Sequence, residues 1–210
     1  LNFAAATGWP LTLVQCQRDM TLADAVGCYE AANGATQWVD GQLPRAMRNG
    51  HVLVLDESDH MAPEFASVMH GPMNGQPLCI ASHGGEVVTA HELFRIVGTS
   101  NTRLFGDESG LHSAAKVQDW AFTSRWDACI RVDWPQPARE ARLLVSKWGI
   151  PLTLAKIIAK IAHETRKASE SQTGNLLFPL TIRNTLNWAR ISQFTDLGSA
   201  LGLSSLNKVP

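Results

Sequence analysis

The chain has 210 residues, which suits one domain or one domain with a small appendage. Hydrophobic residues make up 45% and charged residues 18%, the balance of a globular chain with a real core. The formal net charge is −1 and the arginines are scattered, which argues against a polyanion-binding surface such as a nucleic-acid interface. No apolar run nears the ~18 residues of a membrane span, and no signal peptide is evident. Cys16, Cys28, Cys79 and Cys129 form no CxxC pair and are expected as reduced, partly buried thiols of a cytoplasmic protein. The first residue is Leu1 instead of methionine, as in a piece of a longer or processed polypeptide.

Asn2–Thr7 reads as the tail of a helix ending at Gly8. After the Gly8-Trp9-Pro10 breaker, LTLVQC (Leu11–Cys16) reads as a short strand. A segment of mixed character leads to LPRAMRNG (Leu43–Gly50), a short helix closed by glycine. In HVLVLDE the apolar run Val52–Leu55 suits a parallel strand covered on both faces, and it runs directly into Asp56 and Glu57. Pro63 opens a helix that EFASVMHG carries to Gly71. PLCIASHGGEVVTA reads as a hairpin with Gly84-Gly85 at its tip. FRIVGTSN (Phe94–Asn101) is a further buried strand, and a glycine-rich loop and a helix near His112 to Phe122 follow it. ACIRVDWP (Ala128–Pro135) reads as a fourth strand.

Beyond Pro135-Gln136-Pro137 the pattern is helical, in REARLLVSKWG, LTLAKIIAKIAHETRKASE and LTIRNTLNWARIS. A boundary at Pro135 therefore separates an α/β part, residues 1–135, from a small helical part, residues 136–210.

Strands alternating with helices build open parallel sheets, whose ligands sit at the carboxyl ends of the strands. Asp56, Glu57 and Asn101 all fall at such ends. A carboxylate there can hold Mg²⁺ through its water shell, and a second can polarise the water that attacks a phosphoryl group, aligned by a polar neighbour. The plainer alternative is that the acids end a strand and cap the next helix.

GHVLVLDESDH resembles the Walker B segment of AAA+ ATPases, and FRIVGTSNT resembles their sensor 1 strand. The helix and hairpin between them are similar to the MoxR/CobS branch. Within that branch the chain resembles the CobS-like cobaltochelatase small subunit, through GDESGLHSAAKVQDWAFTSRWDACIRVDWP, PLTIRNTLNWAR and the terminal LNK. The resemblance runs from about Gly8 to Lys208. It implies an α/β fold of the AAA+ P-loop NTPase type, lacking the first strand and P-loop, with a β-hairpin insert and a C-terminal helical lid. It implies ATP and Mg²⁺ as nucleotide and cofactor, with Asp56 on the Mg²⁺ side through water and Glu57 as the catalytic glutamate. Asn101 would be sensor 1, Arg125 the arginine finger reaching a neighbouring subunit's nucleotide, and Arg183 sensor 2 in the lid. A permanent planar cation suits the finger. The family usually has aspartate before it, and this chain has Ser124. An ordinary surface or ion-paired arginine is the alternative at both positions.

One expected element is missing. A P-loop needs GxxxxGK[ST], and no lysine in the chain follows a glycine. In the family that motif lies just upstream of a helix ending as AAATGWP does, so the chain is expected to begin inside that helix. Loss of the preceding strand would leave two neighbouring strands without a partner between them.

Two functions follow. The first is an ATPase module in a homo-oligomeric ring, a hexamer in the family, which remodels a large partner subunit or client, with cobaltochelatase-type metal insertion as one such task. The second is a nucleotide-incompetent fragment or adaptor, a protein-interaction module. Neither involves nucleic acid or membrane. His51, His60, His70, His83 and His91 show no recognised metal-ligand spacing, and Ser109 and Ser124 lack the elbow of a hydrolase triad.

Overall fold

A computed structural model of the chain describes residues 2–32, 34–102, 104, 117–170 and 178–208. They divide into two compact units, Leu1–Cys129 and Ile130–Pro210.

In the first unit, α1 (Asn2–Thr7) stops at Gly8, whose φ of 68° turns the chain into β1 (Leu11–Gln15). Thr21 and Asp24 cap each other's backbone at the start of α2 (Leu22–Val26). Next come two antiparallel strands, β2 (Gly27–Ala32) and β3 (Ala35–Asp40), where the sequence reading found only mixed character. Neither strand buries a clean alternating face, so the period-2 signal that betrays a strand is absent.

In α3 (Gln42–Asn49), Leu43, Ala46 and Met47 face the core, and Gly50 in the left-handed region closes the helix. β4 (Val52–Asp56) follows, then α4 (Pro63–Met73), which continues past Gly71 through Pro72. β5 (Leu78–Ile80) and β6 (Glu86–Val88) form the expected hairpin, with Gly84 and Gly85 both at positive φ at its tip. β7 (Arg95–Gly98) completes a parallel three-stranded sheet of order β1-β4-β7. Its register pairs Gln15 with Asp56 and Leu55 with Gly98. Leu53 and Leu55 of the central strand are fully buried among Leu43, Met47, Phe65, Met69 and Phe122.

Three expectations change here. β7 is not a buried strand. Among the described residues it pairs with β4 alone, only Ile96 packs against the core, and Val97 is 47% exposed. ACIRVDWP is not a strand either: Ile130 and Val132 are 85% and 90% exposed, and Ala128–Pro135 enters no ladder among the described residues. Alternating apolar residues become a strand only when a neighbouring edge accepts their backbone groups, and that segment has none. Of the helix read near His112 to Phe122, residues 112–116 lie outside the described residues. Val117–Asp119 is not helical, and only α5 (Trp120–Thr123) is, because Asp119 caps it and Gln118 pairs back to Leu104.

The second unit is helical, with α6 (Pro137–Trp148), α7 (Leu152–Glu170), α8 (Ile182–Ile191) and a further α9 (Leu197–Ser204) that the sequence reading missed. Small residues, Ala141, Ala155, Ala159 and Ala162, let the helices pack closely around Leu144, Ile158 and Trp188. Among them lies a buried ion pair, in which Arg166 donates to both oxygens of Glu140 at 2.6 and 2.9 Å. Thr185 donates to the same carboxylate at 2.6 Å, so α6, α7 and α8 share one polar joint. Among the described residues no helix is long and apolar enough to cross a membrane.

Candidate functional site

The central strand β4 delivers Asp56 and Glu57 to the carboxyl end of the sheet. Thr99, one residue beyond β7, clasps both. Its hydroxyl donates to Asp56 Oδ1 at 2.7 Å and accepts the Glu57 N–H at 2.9 Å. Its carbonyl accepts the N–H and the hydroxyl of Ser58, both at 2.8 Å, and its own N–H donates to Leu55. These bonds hold Glu57 at φ 54°, ψ 50°, a left-handed backbone that only Leu104 shares among the described non-glycine residues. Strain of this kind costs on the order of 1–3 kcal/mol and persists only where surrounding bonds impose it.

The Glu57 carboxylate is half-exposed. Gln15 Nε2 donates to its Oε2 at 3.0 Å, and His60 Nδ1 lies 3.5 Å from the same oxygen. The third acid of the stretch is unlike the first two. Asp59 is fully buried in the 3-10 turn Ser58–His60. Its Oδ2 accepts the Asn101 N–H at 3.1 Å, the Thr102 N–H at 3.3 Å and the Thr102 hydroxyl at 3.1 Å. The structure thus brings Asp56, Glu57 and the loop of Asn101 together at one end of the sheet, with the Asn101 side chain exposed.

Arg125 follows α5. Its guanidinium folds back to donate to the Ala121 carbonyl, its Nε has no hydrogen-bond partner, and it joins no ion pair among the described residues. The next residue fixes this segment, because the Trp126 indole lies against Gly98. A methyl group at position 98 would come within 2.7 Å of the ring and 3.3 Å of Ser58 Oγ. Arg183 sits in the other unit, exposed in the first turn of α8. A cation there opposes the helix dipole. Thr181 and Asn184 form the capping box at that helix start and leave the guanidinium free of any ion pair among the described residues. Sequence reasoning missed Gln15, Thr99 and the role of Asp59. The signals available were a polar residue ending β1 and the threonine two before Asn101.

Cys16, buried just past β1, reports the local field. Its thiol is pushed up to about 12, chiefly by burial and then by Asp56, Asp59 and Glu57. An electronegative strand end suits a cation. Among the described residues no three metal-binding side chains gather. One hard carboxylate at the rim fits an ion that keeps most of its waters and takes other oxygens from phosphate, which is the habit of Mg²⁺.

Comparison with known proteins shows the family of the chain. The sequence model of the AAA domain, dynein-related subfamily, matches residues 1–116. Protein CbbQ of Hydrogenophilus thermoluteolus is 31% identical over 76% of this chain and 57% of its own length. Protein NorQ of Paracoccus denitrificans is 29% identical over 76% of this chain and 58% of its own length. The aerobic cobaltochelatase subunit CobS of Sinorhizobium sp is 26% identical over 98% of this chain and 64% of its own length. The chain therefore spans less than two thirds of the length of each of these relatives.

Proposed function

Because the chain belongs to the AAA domain family, dynein-related subfamily, and is of the MoxR type, we propose that it hydrolyses ATP to remodel a partner protein. The observation that carries this reading is the Thr99 clasp, which holds Asp56 and Glu57 beside the loop of Asn101. Mg²⁺, when bound, supplies charge neutralisation at the phosphates. Asp56 would hold that ion through water. Glu57 accepts the proton of the attacking water at a carboxylate oxygen, and the Asn101 amide orients that water or a phosphate oxygen. Arg125, released from the Ala121 carbonyl, would stabilise charge on a nucleotide held by a neighbouring copy, and Arg183 would reach the nucleotide from the helical unit.

Action across subunits requires a ring, for which we take a hexamer. One relative is a subunit of an aerobic cobaltochelatase. That makes metal insertion by a large partner subunit the coupled task we favour, with the metal as cargo that this chain does not bind. The reading also places the protein in the cytoplasm.

Glu57→Gln in the intact protein tests the proposal. It keeps the side chain's size and an oxygen that can accept from Gln15 Nε2 but removes the base. Mg-ATP binding by calorimetry should persist while turnover falls to background. Undiminished turnover would remove Glu57 from the reaction. Failure of the wild-type protein to bind Mg-ATP would favour the adaptor reading.

A further inference from the structure

We propose that Asp59 is a positioning residue that sets Asn101 relative to Glu57. The inference rests on the hydrolytic reading above and extends it to a residue outside the reacting groups. Loop Thr99–Thr102 follows β7, and beyond Thr99, whose N–H still bonds the Leu55 carbonyl, Ser100–Thr102 lie outside the ladder. A single oxygen, Asp59 Oδ2, takes three donors from that loop. Its partner Oδ1 is buried and has none among the described residues. Burying a carboxylate is costly and needs compensation by strong donors, so an apolar residue would serve plain packing better at this fully covered position. The carboxylate is bonded to the loop and to nothing within its own turn. Behind it, the Gln118 amide donates to the carbonyls of Asp59 and Met61, both at 3.3 Å.

Two consecutive contacts therefore share one rigid turn. Glu57 is fixed through its N–H to the Thr99 hydroxyl, and Asn101 through its N–H to Asp59. The separation of the two side chains is set by the 3-10 turn that joins them. Movement of Asp59 would act on Asn101 through that bond.

The test uses the intact protein with Asp59→Ala, Asp59→Asn and Glu57→Gln, read by steady-state ATPase kinetics, nucleotide binding and amide hydrogen exchange. Asp59→Ala should lower kcat by about 10- to 100-fold, the scale of an ångström-sized misplacement, with KM for ATP within about threefold. Exchange should quicken at Asn101 and Thr102 while β4 amides keep their protection. Asp59→Asn retains an acceptor oxygen and should recover kcat to within about fivefold of wild type. The proposal is overturned if Asp59→Ala frees the loop amides yet leaves kcat at the wild-type value. It is also overturned if both Asp59 variants lose activity equally with protection lost across β4 and α4, since Asp59 would then only stabilise the fold. Wild-type turnover in Glu57→Gln sinks the hydrolytic reading itself. Loss in Glu57→Gln with full activity in Asp59→Ala sinks the positioning role alone.

Discussion

Gln15 Nε2 donates to Glu57 Oε2 across 3.0 Å, tying the last residue of β1 to the acid beyond β4. The in-register pairing of Gln15 with Asp56 makes this bond possible, because it sets the two strand ends level. On the proposed mechanism, this bond stabilises the charged carboxylate and so would weaken it as the acceptor of a proton from water. Gln15→Ala should therefore raise basal turnover. An exposed hydrogen bond of about 1 kcal/mol corresponds to roughly fivefold. ATPase assays without a partner protein check this. A fall in turnover would instead make Gln15 part of what the reaction requires.

What the sequence reveals and what it conceals divide along the range of the interactions. Val52–Leu55 announces a covered parallel strand because four apolar residues in a row have few other uses, and α7 is legible from its repeating apolar stripe. Asp56, Glu57 and Asn101 stand out because strand ends are where ligands collect. Thr99, Gln15 and Asp59 do not, since their bonds join residues about forty positions apart and depend on strand register. Ala128–Pro135 shows the reverse failure. Its pattern reads clearly as a strand, but pattern alone does not supply the edge that a strand needs. Glu140 and Arg166 look like surface residues of amphipathic helices until the third helix brings Thr185 beside them.

Cys16 should make stability depend on alkaline pH. Burial and the three nearby acids push its thiol from 9.0 up to about 12, so the folded state holds the proton more tightly than the unfolded one. Stability from this group is fully present below pH 9 and is lost as pH rises from 9 toward 12, because the unfolded chain releases its proton first. The slope in that window reaches about 1.4 kcal/mol per pH unit. Urea unfolding of wild type and Cys16→Ala between pH 8 and about 11 isolates it. The slope should flatten in the variant, and an equal slope in both would assign the effect elsewhere. In the folded protein, alkylation at pH 8 should label the exposed Cys79 and Cys129 and spare Cys16.

The Glu140–Arg166 pair should be costly to break and cheap to replace. Both side chains are essentially excluded from water, Arg166 also donates to the Leu180 carbonyl at 2.7 Å, and its guanidinium stacks on Trp134 at 4.6 Å. Arg166→Met leaves a buried carboxylate with, among the described residues, only the Thr185 hydroxyl, and should destabilise by about 3–5 kcal/mol. Glu140→Leu alone strands the guanidinium and should cost a similar amount. The double variant Glu140→Leu, Arg166→Met removes both charges and keeps comparable volume. Thr185 then falls back on its bond to the Ile182 carbonyl at 3.0 Å, and the Leu180 carbonyl loses its donor. Stability should return to within about 1–2 kcal/mol of wild type, because the desolvation of two ions no longer has to be offset. Denaturant midpoints of the four proteins complete the cycle. If the double variant were as unstable as the sum of the singles, the joint would owe its strength to the packing of these particular side chains and not to the mutual dependence of their charges.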